Sequence, residues 1–256
     1  METRTANETF RPPDWWEIPS HEGPDYYEAL RRLHAMLRPA TYFEIGSETG
    51  GSLILAGCAS LAVDQAFRLN CNVAQGKPFC LLYQMTSDAF FAAHDPRKLL
   101  GGPVELAFLD GMHNYEYLLR DFINTERVCR PESVIVLHDC LPTDAHVARR
   151  EGGDQHLRAF SAHPEWWAGD VWKTAAILRR ARPDLAMHAF GVPPTGLVLV
   201  TGLNPASYVL ARDYDAHVAA FASSGPEVFR EHVAALRPLG FAEFDAVVEG
   251  LARRAQ

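Results

Sequence analysis

Tyr42-Phe-Glu-Ile-Gly-Ser-Glu-Thr-Gly-Gly-Ser52 joins a short apolar run to a glycine-rich turn. The pattern predicts a buried strand, then a turn, then a helix. Asp64 follows Glu44 by 20 residues, at the end of a second apolar run. This arrangement suits a nucleoside-bearing cofactor: the turn lets the backbone approach the ligand, and the distant carboxylate can take both ribose hydroxyls. The glycine spacing is E-x-G-x-x-x-G-G, not the G-x-G-x-x-G that cradles a pyrophosphate, and Glu48 lies inside the turn. A carboxylate there repels a diphosphate and tolerates a cation. Gly46 and Gly50 are therefore expected to make room for a ligand, Ser47 and Ser52 to offer hydroxyls, and Glu44 to hold a cationic or amino group. The competing reading is a tight strand-to-helix turn that needs glycine in any case.

Outward from this stretch, residues 25–38 read as a helix with Tyr26, Leu30, Leu33 and Leu37 on one side, ended by Pro39. Strands are predicted at Thr41–Ile45, Ser60–Val63, Phe79–Tyr83, Val104–Leu109 and Ser133–Leu137. Helices are predicted at Gly51–Ala59, from about Ser87 with Ser and Asp as capping types, and at Tyr115–Val128, with Pro131 in the turn that follows. Alternating strands and helices imply a mostly parallel sheet with helices on both faces. Ligands of such sheets sit beyond the carboxyl ends of the strands, where Glu44, Asp64, Gln84, Asp110, His138 and Asp139 fall. Ala186–Phe190 and Gly196–Val200 are two further strands close in sequence, so one of them is expected to run antiparallel. The intervening region 141–170, with Trp166 and Trp167, reads as a lid or insertion. The expected organisation is an N-terminal arm and helix (1–39), an α/β core (40–201) with its insertion near 141–170, and a helical extension of the same domain (202–256).

Composition narrows the class. Lys plus Arg is 24 against 32 for Asp plus Glu, a net charge of -8, which argues against nucleic acid as the main partner. No apolar run approaches a membrane span, and the first 20 residues lack the apolar stretch of a signal peptide. Five cysteines without a C-x-x-C motif read as reduced thiols in a cytoplasmic setting. Trp15 and Trp16 in the N-terminal arm, with the apolar terminal helices, raise the expectation of a homo-oligomer, although both can pack within one chain.

Three polar positions carry candidate chemistry. Asp110 ends a run that should be buried, and Asn114 can cap the next helix, which leaves Asp110 free. His138-Asp139 ends the fifth strand, and Asp110, Asp139 and His138 would form an oxygen-rich site for a hard cation such as Mg²⁺ or Mn²⁺. His113 is the best general base, because an imidazole titrates near neutrality. For each, helix capping or core packing is the plain alternative. Trp166, Trp167 and Trp172 line an acceptor pocket or pack the insertion against the sheet. Lys173 faces either ligand or solvent.

At these residues the chain resembles the class I S-adenosylmethionine-dependent methyltransferases. It is most similar to the small-molecule O-methyltransferases that include the macrocin and mycinamicin sugar enzymes and the cephalosporin-hydroxylase-like proteins. Phe43–Ser52 corresponds to the family's first motif, and Phe108-Leu-Asp-Gly-Met-His113 resembles its F-I-D-G-x-H segment. The resemblance implies a Rossmann-like seven-stranded sheet with an antiparallel last strand, S-adenosylmethionine as cofactor, Asp64 on the ribose, and Ser87 and Asp88 beside the adenine. It also implies Asp110 and Asp139 as metal ligands, His113 as base, and methyl transfer to a hydroxyl of a small-molecule acceptor. His138 departs from the family's pattern, where an acidic pair ends this strand. A nicotinamide-dependent oxidoreductase and a non-catalytic, cofactor-binding relative are the competing readings.

Overall fold

Every residue of the first strand is buried, and the sheet is built outward from it. The computed structural model describes residues 17–18, 21–151 and 155–255. Trp15, Trp16 and Gly152-Gly153 lie outside the described residues. The elements are α1 (Tyr26–Leu37), β1 (Thr41–Ile45), β2 (Ala59–Asp64), β3 (Cys80–Gln84), α2 (Ser87–Ala93), α3 (Pro96–Leu100), β4 (Val104–Leu109), α4 (Tyr115–Glu126) and β5 (Cys129–His138). They continue as α5 (Gln155–Arg158), α6 (Trp172–Ala181), β6 (Ala186–Phe190), β7 (Leu197–Thr201), α7 (Val209–Arg212), α8 (Tyr214–Phe221), α9 (Pro226–Leu236) and α10 (Phe244–Ala255).

The seven strands lie in the order β3-β2-β1-β4-β5-β7-β6. Strands β1 to β5 pair in parallel, and β7 inserts antiparallel between β5 and β6. The expected Rossmann-like sheet with an antiparallel last strand is what forms. The order reverses at β1 and β4, so the crevice opens at their carboxyl ends.

Alternation along β1 divides the core into two layers. Phe43 and Ile45 face the layer that holds Leu118, Leu119 and Phe122 of α4 and Ala175 and Ile177 of α6. Tyr42 faces the layer of Leu30 and Leu33 from α1 and Phe244, Val248 and Leu251 from α10. Each such side chain contributes about 1.5–3 kcal/mol on burial. α1 and α10 are tied at their surface by Arg32 and Asp245, 2.6 Å apart.

Four local expectations change. The helix predicted at Gly51–Ala59 is a single 3-10 turn, Leu53–Leu55, because β2 already begins at Ala59 and too few residues remain to repay helix nucleation. β5 starts at Cys129 and includes Pro131. Its pairing with β4 jumps from Val104↔Cys129 to Leu106↔Val134, and the proline lies in that irregularity, where it needs no ladder bond. The cap of α2 is Thr86, whose hydroxyl accepts from the Ala89 amide, with Ser87 as first helical residue. Asn114 precedes α4 but makes no capping bond there. Asp170 supplies it instead, accepting from the Tyr115 amide at 3.1 Å. Among the described residues no helix is long and apolar enough to cross a membrane.

Candidate active site

A cleft of about 680 Å³ opens beyond the carboxyl ends of the central strands. Gly46 forms its floor. Its φ of +85° and a Cβ position only 2.0 Å from the Asp110 carbonyl oxygen exclude any side chain. Backbone bonds Gly46 N–H to Val63 O (2.9 Å) and Asp110 N–H to Ile45 O (2.9 Å) fix the three strand ends together. That contact seats Asp110 beside the turn.

The structure divides the cofactor residues expected from the first motif. Gly46, Asp64, Ser87, Asp88 and Asp110 line the cleft, as does Glu48. Asp64 accepts from the Glu48 amide (2.8 Å) and the Ala66 amide (2.7 Å), which holds its carboxylate at the rim. Glu44, Ser47, Gly50 and Ser52 are not among the lining residues. Glu44 is fully buried, accepting from the Tyr42 hydroxyl (2.5 Å) and the Ser52 hydroxyl (2.9 Å). Burial outweighs those bonds and lifts its carboxyl to about 7. Ser47 is buried, and Gly50 packs on Val73, Leu69 and Cys71. Strand alternation explains the result: Glu44 points to the α1 side, like Tyr42 two residues earlier. Both carboxylate oxygens serve the turn's interior.

Asp110, His113 and Asp139 converge, with one ligand-type atom from each within 4.8 Å of the others. His113 Nε2 lies 3.1 Å from Asp139 and 3.6 Å from Asp110. Its Nδ1–H donates to the Trp167 carbonyl at 3.0 Å, which aims Nε2 at the carboxylates. Burial opposes the charged imidazole, but Asp139 and Asp110 prevail and raise His113 to about 9. The reciprocal effect holds Asp110 down at about 2 against its burial, His138 being the largest opposing influence. His138 stands behind the carboxylates. Its Nδ1–H donates to Asp110 at 3.0 Å and lies 3.4 Å from Asp139, so those charges push its protonation upward despite burial. The three donors that converge on one point include His113, and His138, the imidazole of the sequence reading, contacts the same two carboxylates from behind. Asp139 takes a left-handed φ of 61°, and its carboxylate accepts from the Thr195 hydroxyl.

Several lining residues lack a motif. Pro194 and Thr195 come from the β6–β7 connection. Tyr26 was read as part of an apolar helix face, yet its ring lies 4.2 Å from the His138 ring, over the carboxylates. Met85, Tyr117 and Asp121 complete the wall. Asp121 alone left a trace, a carboxylate between Leu118 and Phe122 on the apolar stripe of α4.

The insertion closes one side. Trp166 and Trp167 line the cleft, and the Trp167 ring sits 4.9 Å from His113. Trp172 instead packs in the core against Phe229. Lys173 is buried too, 3.2 Å from Asp170. Asp170 also takes Arg150 (3.0 Å), which binds Glu116 of α4 at 2.8 Å. Gly169 passes so close to the His113 carbonyl that a Cβ would lie 1.8 Å from it. The insertion and the His113 loop therefore form one unit. Cys140 is buried, and burial pushes its thiol well up, which leaves it no nucleophile.

Residues 43–140 match the family model described as a methyltransferase domain. The structure of the O-methyltransferase TomG from Streptomyces achromogenes, in complex with SAM, aligns over 73% of this chain and 84% of its own. Identity is 16% and the TM-score 0.50, a likeness of fold. An O-methyltransferase from Bacillus cereus, in complex with SAH, aligns over 72% and 83% at 16% identity, with a TM-score of 0.47. Among curated proteins, no sequence matches the chain.

Proposed function

We propose that the chain is an S-adenosylmethionine-dependent O-methyltransferase acting on a small molecule. The observation that carries this reading is the shared cleft: Asp64, Gly46 and the Asp110–His113–Asp139 cluster line the same cavity. Asp64 would accept from the ribose hydroxyls. Glu48, at the mouth, favours a cationic ligand over a diphosphate, which disfavours a dinucleotide. The cofactor supplies a methyl group on a positively charged sulfur. Trp166 and Trp167 would hold the flat or apolar face of an acceptor beside His113 and exclude water.

The residues present fit a divalent cation. Two carboxylates and one imidazole form a donor set that suits Mn²⁺ or Mg²⁺, the imidazole favouring the softer of the two. Thr195 on Asp139 and the Trp167 carbonyl on His113 would orient those ligands. A cation bound there would supply Lewis-acid stabilisation of a hydroxyl as it loses its proton. His113 is the more exposed of the two imidazoles, and a cation on the two carboxylates would offset the charges that raise it, which would free Nε2 to take that proton as base. A second reading makes the same nitrogen the third ligand, and the clustering of the three donors favours it.

Calorimetric titration with S-adenosylmethionine and S-adenosylhomocysteine, with and without Mg²⁺ or Mn²⁺, tests the proposal. Saturable binding that weakens about 100-fold in Asp64→Ala is expected, the worth of two charge-assisted hydrogen bonds. Binding of NAD(H) but of neither sulfur compound would overturn it. Mn²⁺ titration of His113→Gln separates the two roles: lost affinity marks a ligand, whereas retained affinity with lost turnover marks a base.

A further inference from the structure

His113 and His138 both line the cleft, and His138 has no part in the chemistry proposed above. It is buried, and its Nδ1–H donates to Asp110 at 3.0 Å and lies 3.4 Å from Asp139. Its Nε2 finds no hydrogen-bond partner among the described residues. Polar contacts therefore hold one edge of the imidazole. Its faces meet other rings: Phe108 lies 5.8 Å away at 56°, and Tyr26 lies 4.2 Å away at 37°.

Tyr26 is the first residue of α1, and it is held from several sides. Its amide donates to the Pro193 carbonyl at 3.0 Å, in the connection that also carries Thr195. Its ring stacks on Tyr27 at 4.2 Å, and its hydroxyl lies within hydrogen-bonding reach of Tyr27. Tyr27 in turn rests on the glycine turn, its hydroxyl 2.9 Å from where a Cβ on Gly51 would stand. Burial, and then Asp110, push the Tyr26 phenol up, so it keeps its proton and is no base. What it offers His138 is a ring face.

We propose that Tyr26 is a positioning residue: its ring clamps His138, and His138 in turn orients the Asp110 carboxylate within the cluster. For cation affinity this rests on the donor set assigned above; for the imidazole itself it does not. A ring face restricts an imidazole through many small dispersion contacts. Without that face His138 can turn about its side-chain bonds. The hydrogen bond to Asp110 then weakens, and the carboxylate loses the donor that aims it.

Nuclear magnetic resonance on the full chain with labelled histidine tests it without any metal. The wild-type protein should show a downfield Nδ1 proton of His138 that exchanges slowly and is missing in His138→Asn. Tyr26→Leu should lose that signal to exchange, and Tyr26→Phe, which keeps the ring, should retain it. Mn²⁺ titration is the second readout: affinity should fall about tenfold in Tyr26→Leu and stay within about twofold in Tyr26→Phe. In a His138→Asn background Tyr26→Leu should cost no more than about twofold, because it acts through the imidazole. Circular dichroism checks folding, and Tyr26→Met takes the place of Tyr26→Leu if leucine is not accommodated. An unchanged or absent wild-type His138 signal relative to the folded ring-less variant overturns the clamp. Loss of the signal in Tyr26→Phe also overturns it, by moving the role to the hydroxyl. Failure of the wild-type protein to bind Mn²⁺ overturns the cation reading, and the His138 signal alone then decides the role of Tyr26.

Discussion

Glu44→Gln separates a residue of the turn's interior from a residue of the cofactor site. Burial carries the Glu44 carboxyl from 4.5 to about 7, against the bonds donated by Tyr42 and Ser52. The sign follows from proton counts. Between pH 4.5 and 7 the folded protein keeps this proton and the unfolded chain has lost it, so stability falls as pH rises through that window and levels off above it. The interval corresponds to about 3 kcal/mol. Glutamine keeps the shape and has nothing to titrate. Its amide can donate to one hydroxyl while its carbonyl accepts from the other. Asp121 titrates in the same direction, raised to about 7, but both proteins carry it and it cancels in the difference. Thermal melts at pH 5 and pH 8, which span about 2.5 kcal/mol of that interval, should show the variant gaining on the wild-type protein by about 5–10 °C between the two conditions. Parallel melting curves would refute the argument. Because Glu44 is fully buried and both oxygens are occupied, the variant should also bind S-adenosylhomocysteine within about threefold of wild type. A tenfold loss would mean that the carboxylate reaches the ligand.

Gly46→Ala should cost about 1–2 kcal/mol from its left-handed φ alone, with more from the Asp110 carbonyl at 2.0 Å, and chemical denaturation measures it. The same variant should lose cofactor binding, because Asp110 and Gly111 must move. Arg182→Ala strips the buried Glu126 carboxylate of its two guanidinium bonds (2.8 and 2.9 Å) and should lower stability by about 3–5 kcal/mol, again read by denaturant unfolding. Since Arg182 lies away from the cleft lining, ligand affinity in the folded fraction should be unchanged, which a titration checks.

The sheet was legible because its signals are local. Apolar runs of strand length, the glycine turn after Ile45 and the spacing to Asp64 depend on neighbours in sequence, and all seven strands were placed within a few residues except at β5. The miss at β5 has a local cause as well. Pro131 is a breaker in sequence, yet an irregular pairing with β4 gives it a place that needs no ladder bond. The 3-10 turn at Leu53–Leu55 was misread for a different reason. Apolar composition cannot distinguish a helix from a short link when the start of the next strand limits the room.

The site was partly legible. Asp64, Asp110, His113 and Asp139 sit at strand ends, where the topology of a parallel sheet assigns ligands, and the structure brings all four to the cleft. Glu44 sits on the same strand as the turn and was drawn inward by alternation, a matter of which face the second helical layer covers. Tyr26, Thr195 and Trp167 lie 87, 82 and 54 residues from His113 in sequence and beside the cluster in space, and no sequence window contains them together. The capping of α4 by Asp170 is of the same kind.

By itself, the sequence determined the parallel sheet, its crevice and the carboxylates at the strand ends, because these follow from short-range periodicity and turn chemistry. The tertiary structure alone decided that Glu44 faces inward, that His113 joins Asp110 and Asp139 around one point, and that Asp121, on the apolar stripe of α4, lines the cleft. Burial and direction depend on which long-range partner packs against each face, and that information is set only once the layers have closed.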